Sequence, residues 1–194
     1  MLATAENVAR RHGIGTAEQH EVVLVREQQY AQALADNAAF LKRYMSLPFE
    51  VPAPGYKKVA ARLEGDEGVS RSTAEGLAAL KPVMPGGTVT YGAQTHPADG
   101  NAGLVVTTAE RARELATDPK IAVRLLGFGQ ARVELAYMPE APAPAAARAL
   151  AQAGLAIGDM AVIKTHNPFA LNDLLFARVM GVDWQPLNPY GCSL

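Results

Sequence analysis

The sequence predicts an α/β layered fold, and three features carry that expectation. Short apolar runs at 103–107, 121–128 and 160–163 have the length and composition of buried strands. Helical spacing separates and follows them: 109–116, then Ala146, Arg148, Ala149, Leu150 and Ala153 closed by Gly154, then Phe169, Leu171, Leu174, Leu175, Ala177, Arg178 and Val179. Alternating strand and helix is the pattern of helices packed on a sheet. The first segment, roughly 90 residues, has a different texture and is expected to be a separate excursion.

That excursion begins with helices. Thr4 is placed to cap a short one carrying Ala5, Val8 and Ala9, with Arg10 and Arg11 near its end and Gly13 as its stop. Thr16 is placed to cap a longer one, where Glu18-Gln19 supply the partner of a capping box and Val22, Val25, Tyr30, Ala33 and Leu34 make the apolar stripe. That helix is expected to end near Asp36-Asn37, followed by an amphipathic piece from Phe40 to Tyr44. From Leu47-Pro48 to Pro54-Gly55 the chain should extend or turn, and 56–63 reads as a strand bearing Lys57, Lys58 and Arg62. Asp66-Glu67-Gly68 turns, Ser72 caps a helix over 73–80, and Pro82 to Gly87 breaks the chain before the β-branched run Thr88-Val89-Thr90-Tyr91. Asp99-Gly100 is a further turn.

The chain has 194 residues, 49% of them apolar, enough for one large domain or two small ones. Lys and Arg number 18 against 19 Asp and Glu, so no net field attracts nucleic acid or an anionic membrane, and an anionic ligand needs a local cluster. A single cysteine, Cys192, excludes an intrachain disulfide framework and a cysteine-based zinc site, and His12, His20, His96 and His166 lack ligand spacing. The apolar runs are too short to span a bilayer and the first residues lack a signal-peptide core. The expectation is a soluble, cytoplasmic protein that binds neither nucleic acid nor membrane.

Within this pattern one junction stands out. Met160, Ala161, Val162 and Ile163 form the last strand candidate, and Pro168 suits the first turn of the helix beyond it. His166 lies between them, at the carboxyl end of a strand and ahead of a helix amino terminus, where ligands collect in open α/β folds. An imidazole there can donate, accept or change charge near neutral pH. A histidine satisfying local backbone is the competing reading.

The order of segments resembles the thiolase family of acyl-CoA acyltransferases, over essentially the whole chain. Thr4-Ala5-Glu6-Asn7-Val8-Ala9 with Glu18-Gln19 is similar to "TAENVA…EEQD", and Leu80-Lys81-Pro82 with Gly87-Thr88-Val89-Thr90 to "LKPAF…GTVTAGNAS". Asp99-Gly100 stands at "NDGAAA", Pro142-Ala143-Pro144-Ala145 at "GPxPA", Lys164 to Phe169 at "NEAF", and Asn188 to Leu194 at "NxxGG". The resemblance implies a thiolase-like α/β/α fold, incomplete, with residues 1–96 as its coenzyme A-binding loop domain, 97–118 closing the first half and 119–194 beginning the second. It implies thiolytic cleavage of a 3-ketoacyl-CoA or the reverse Claisen condensation, in fatty or aromatic acid degradation or in biosynthesis. It places the nucleophilic cysteine, the "GHP" histidine and the "CxGGG" cysteine outside this chain, so that the chain alone is expected to be inactive. The alternative is a non-catalytic thiolase-like subunit that binds acyl-CoA or supports a partner.

Residue roles follow from the resemblance alone. His166 matches the "NEAF" asparagine that holds a water in an oxyanion hole; sterol-carrier-type thiolases similarly carry histidine there, in "HDxF". Met1 and Met138 match positions bordering the acyl and pantetheine tunnel, and Phe169 its wall, with plain core packing open for all three. Thr95 matches a serine on the pantetheine arm, beside the departures Gln94 and His96. Tyr91 replaces a small residue near that arm, and Arg71 lies near the arginine region that meets the nucleotide. Lys57, Lys58 and Arg62 stand as further phosphate partners or as solvated charges. Cys192 occupies the second glycine of "NxxGG" and is expected to be a structural thiol. Coenzyme A and acyl-CoA are implied as substrates, with no permanently bound cofactor or metal, and the complementary thiolase polypeptide or subunit as partner in a homo- or hetero-oligomer.

Overall fold

The computed structural model describes residues 1–95, 100 and 102–194. Among them the elements run α1 (Leu2–His12), α2 (Thr16–Ala33), α3 (Ala35–Tyr44), β1 (Phe49–Pro52), β2 (Val59–Leu63), α4 (Ala74–Ala78), α5 (Ala109–Leu115), α6 (Pro142–Ala153) and α7 (Leu171–Met180). β1 and β2 pair antiparallel, Phe49 opposite Leu63 and Val51 opposite Ala61. Their turn is closed by the Ala53 amide on Lys58 O at 2.8 Å.

The core is built around α7. Every residue from Leu171 to Ala177 is buried, Asn172 and Asp173 included, as befits a helix enclosed on all sides. One apolar cluster joins Ala5, Val8 and Ala9 of α1, Val22 and Val23 of α2, Leu77 of α4 and Val89 to Phe169, Leu171 and Leu175. A second joins Phe176 and Ala177 to Ala143 and Leu187, with Ile163, Val182 and Trp184 at its margin. Fully burying the Val, Leu and Phe side chains among them contributes about 1.5–3 kcal/mol each.

Polar anchors fix how the helices meet the loops. The Glu6 carboxylate, on the buried side of α1, accepts from the backbone N–H groups of Thr88 and Val89 at 2.9 Å each and from the Thr88 hydroxyl at 3.3 Å. This ties the first helix to the 87–90 ribbon with charge-assisted bonds. Gly87 is required beside it, because a Cβ there would overlap the Glu6 carboxylate. The 127–130 segment rests on α6: the Phe128 amide donates to Gln152 Oε1 at 2.6 Å, the Arg148 guanidinium donates to Gln130 O, and a Cβ on Gly127 or Gly129 would overlap the helix backbone at Ala149 or Ala145.

Most helix expectations are met, with shifts at the caps. α1 starts at Leu2 with Met1 as N-cap, so Thr4 lies inside the helix, and it ends at Gly13 as expected. Gly15, not Thr16, caps α2; Glu18 Oε1 takes the Gly15 N–H at 3.1 Å, and the Thr16 hydroxyl is free to donate to Thr88 O at 2.8 Å. Asp36, Asn37 and Ala38 adopt left-handed φ of 52–59°, which separates α2 from the rest of α3 near the expected place. Thr73 replaces Ser72 as the α4 cap, accepting from the Gly76 amide at 3.1 Å. Pro168 lies ahead of α7 rather than in its first turn.

The strand expectations are the ones revised. Residues 56–63 give β2 only from Val59, because Tyr56 turns at φ 58°. At 88–91 the only pairing among the described residues is a bridge between Thr90 and Pro82, after which Tyr91 enters a 3₁₀ turn. Residues 103–107, 121–128 and 160–163 are apolar but unpaired. A strand exists only where a neighbour supplies the ladder, and among the described residues the chain brings none alongside. Leu104 is accordingly 82% exposed and Val123 88%. The expectations at His96 and Asp99 lie outside the described residues.

Candidate functional site

Two turns come together at the head of α7. The Asn188 backbone N–H donates to Ile163 O at 3.0 Å, and its side-chain Oδ1 accepts the Thr165 N–H at 2.8 Å. Lys164 Nζ donates to Pro189 O at 2.8 Å and Gly191 O at 2.9 Å. Desolvation lowers the Lys164 pKa, with the nearby Arg26 charge acting in the same direction and Cys192 opposing. Asn188 and Tyr190 hold left-handed φ of 56° and 66°, which turns 188–191 back over 163–167.

Beneath these turns lies a buried carboxylate. Asp173, in the first turn of α7, has a fully buried side chain, as does Arg26 of α2, whose Nε donates to Asp173 Oδ2 at 3.0 Å. The same oxygen accepts from Asn167 Nδ2 at 2.9 Å and Asn188 Nδ2 at 3.1 Å, while Oδ1 accepts the Thr165 hydroxyl at 2.6 Å. Arg26 spends its other donors on Gln29 Oε1 (2.8 Å), Gln185 O (3.1 Å) and Trp184 O (2.7 Å). Removing two such ions from water costs several kcal/mol each by general principle, and only this degree of hydrogen bonding offsets it. Asn167 Nδ2 also reaches Cys192 Sγ at 3.2 Å. Burial pushes the Cys192 thiol pKa up, against smaller opposing effects from the Leu194 backbone and Asn167.

The other wall is the segment before the first unpaired run. The Thr95 amide donates to Pro168 O at 2.9 Å, the Ala170 amide to Ala93 O at 2.9 Å, and Gln94 bridges Phe169. His20 of α2 supports this segment through Thr90 Oγ1 at 2.8 Å, and burial lowers its pKa.

The structure therefore brings together His166, Phe169, Thr95 and the Tyr91 turn. His166 is exposed between the held Thr165 and the buried Asn167. Phe169 is 3% exposed and belongs to the core cluster, whereas Tyr91 is 70% exposed. Met1 stands at the start of α1 and Met138 in a 3₁₀ turn that packs on α1, both exposed. Arg71 lies elsewhere, over α2, with Nε 3.9 Å from Glu27 Oε1. It lines a hollow of about 360 Å³ with Glu27, Tyr30, Leu34 and Val69. Tyr30, at that hollow, donates to Asp66 Oδ2 at 2.8 Å, and burial with this contact pushes its phenol to about 12. Lys57, Lys58 and Arg62 are exposed on the hairpin, Arg62 paired with Glu64 at 2.9 Å. Among the described residues no group of three or more His, Cys, Asp or Glu is arranged to hold a metal, and no helix is long and apolar enough to cross a membrane.

Sequence reasoning passed over Arg26, Asp173, Thr165, Asn167 and Asn188. A signal existed for two of them. Arg26 stands four residues after Val22 on the stripe that α2 buries, and Asp173 stands between Leu171 and Leu174 in an apolar helix; a charge on a buried face asks for a partner.

The geometry has known relatives. The family model described as thiolase, N-terminal domain, matches residues 1–110, and the thiolase C-terminal domain matches 119–194. The chain belongs to the thiolase family. It is 32% identical over 187 residues to the 3-ketoacyl-CoA thiolase of Aeromonas hydrophila, covering 94% of this chain and 46% of that protein. Over 195 residues it is 32% identical to the acetyl-CoA acetyltransferase of Escherichia coli K12, covering 100% of this chain and 48% of that one. Among solved structures, the acetyl-CoA acetyltransferase of Bacillus anthracis superposes with a TM-score of 0.85 at 27% identity, over 100% of this chain and 48% of that one. The human mitochondrial 3-ketoacyl-CoA thiolase gives 0.80 at 27%, over 98% and 46%. This thiolase-family chain thus has the expected α/β fold and spans about half the length of the relatives it matches.

Proposed function

We propose that the whole protein is an acyl-CoA acyltransferase that cleaves a 3-ketoacyl-CoA with coenzyme A, or runs the reverse Claisen condensation. The observation that supports this most is the match of both thiolase domains, in order, along one chain. Thiolysis forms a thioester bond to coenzyme A sulfur as the bond between the α and β carbons breaks, through a tetrahedral oxyanion and an enolate. Such oxygens need donors placed where charge develops.

In this reading His166 is the donor, directly or through a water, toward the thioester oxygen. Its loop is held by Thr165 and Asn167 from below and by Thr95 and Gln94 from the side. Thr95 and Tyr91 border the pantetheine arm, Phe169 backs the tunnel from the core, Met1 and Met138 border its acyl part, and Arg71 meets the nucleotide. No residue of this chain is assigned the nucleophile or the base. Residues 1–96 act as the loop domain, 97–118 complete the first half and 119–194 begin the second. Acyl-CoA and coenzyme A come and go as substrates, with no resident cofactor, in a cytoplasmic oligomer serving β-oxidation or the reverse condensation.

The test is chromatographic detection of acetyl-CoA from acetoacetyl-CoA and longer 3-ketoacyl-CoA esters with the complete protein. Turnover of any of them supports the reading; tight binding without turnover of any would replace it with a non-catalytic subunit.

A further inference from the structure

We infer that Asp173, paired with Arg26, is a positioning residue for the oxyanion-donor loop, setting where His166 stands without touching substrate. The inference rests on the thiolase reading for its catalytic consequence, while its geometry is independent of that reading. The Asp173 carboxylate lies at the meeting of the two turns and holds both: Thr165 and Asn167 flank His166 on either side, and Asn188 belongs to the opposite turn. Asn188, which the carboxylate orients, in turn donates to Thr165 Oγ1 at 2.8 Å and accepts the Thr165 amide, so Asp173 acts on the Thr165 side of the histidine both directly and through Asn188.

Arg26 gives this arrangement its rigidity. Its guanidinium is planar, and all its contacts are made from one fixed fork to Asp173, Gln29, Trp184 and Gln185. The head of α7 is thereby set against α2 and the 184–188 segment rather than against the loop it controls. Two apolar residues would fill the same volume, and replacing a buried ion pair that way is often neutral or stabilising. They would supply no acceptor for Thr165, Asn167 or Asn188. What the ions add over such a pair is placement of the loop.

The experiment compares the complete wild-type protein with Asp173→Asn, Arg26→Gln/Asp173→Asn and Asn188→Gly, each assayed well below its own melting temperature. Asn188→Gly removes the bridging amide at a left-handed φ that glycine accepts, leaving the ion pair intact. Displacing a catalytic group by about 1 Å typically costs on the order of 100-fold. The expected result is a roughly 10- to 100-fold fall in kcat for acetoacetyl-CoA thiolysis in Asp173→Asn and Asn188→Gly, with KM within about threefold, as supporting contacts usually give. The double variant, which restores a neutral hydrogen-bonded pair, should regain part of the loss. Amide exchange is read on the same samples: the Thr165 N–H should exchange at least about tenfold faster in both single variants while Leu175, inside α7, keeps its protection. Faster Thr165 exchange with unchanged kcat, or unchanged exchange, overturns the inference. If the wild type turns over no acyl-CoA, the functional reading fails, and the exchange data alone then uphold or overturn the clamp.

Discussion

Replacing Arg26 by methionine tests the energetics of the buried pair. The methionine stem follows the arginine stem but removes the donor to Asp173 and those to Gln29, Trp184 and Gln185. Breaking a buried ion pair from one side generally costs about 3–5 kcal/mol. Asp173 retains Thr165, Asn167 and Asn188 as neutral donors, which sets the expectation at the low end, ~3 kcal/mol. For a chain of this length each kcal/mol moves the midpoint by about 2–4 °C, so Arg26→Met should melt roughly 6–12 °C below the wild type. Arg26→Met/Asp173→Asn, which buries no uncompensated charge and keeps an acceptor oxygen for the donors around it, should recover part of that. Differential scanning calorimetry of the three proteins decides it. A shift under about 2 °C for the single variant, or no recovery in the double, would refute the reasoning, since either means the site is wetter or softer than its burial shows.

Other outcomes follow from the same structure. His166→Ala should lower kcat by on the order of 100- to 1000-fold, about 3 to 4 kcal/mol, with little change in KM, whereas His166→Asn should keep much of the activity; wild-type turnover in the alanine variant identifies a plain loop histidine. His20, its pKa lowered by burial, binds a proton more weakly folded than unfolded, so its contribution is intact above about pH 6.5 and is lost as pH falls below that toward the lowered value. His20→Gln should therefore show a shallower loss of melting temperature on acidification than the wild type, and parallel curves would contradict this. Cys192, raised by burial, should react with a disulfide reagent near pH 7.5 at well under the rate of a free thiol, accelerating above about pH 9; fast neutral labelling would show an exposed turn. The 194-residue chain by itself should lack thiolase turnover and associate in solution, because Leu104, Val123, Phe128 and their neighbours are exposed; a monomer by light scattering, or turnover abolished by modifying Cys192, would contradict it.

The helices were legible in the sequence because their signals are local. Gly13 and Gly154 close α1 and α6 in left-handed φ, and the apolar spacing of α7 is complete within its own ten residues. The strands were not, since the apolar runs at 103–107, 121–128 and 160–163 carry the composition of strands but strand pairing depends on what lies alongside. The candidate loop was found from the apolar run and the helix that flank His166, and then from the order of Lys164 to Phe169 relative to the other segments. Its supports were missed for a physical reason: Arg26 and Asp173 are 147 residues apart, and nothing in the spacing of either helix says that the two charges face each other. Cap assignments failed at Thr16 and Ser72 because the adjacent Gly15 and Thr73 take the position, the Thr16 hydroxyl being spent on Thr88, and at Thr4 because α1 already begins at Leu2.

The seat of the 127–130 segment on α6 bears on what any redesign of this chain can vary. Gly127 and Gly129 leave no room for a Cβ against the backbone at Ala149 and Ala145, and the helix face they meet is itself alanine. The four positions form one steric unit. A library that randomises the two glycines alone should return glycine, because what a Cβ would meet at Ala145 and Ala149 is main chain, which no substitution at those positions removes. Side-chain volume can enter there only if the helix axis moves as well, so variation in this part of the molecule is concerted or absent.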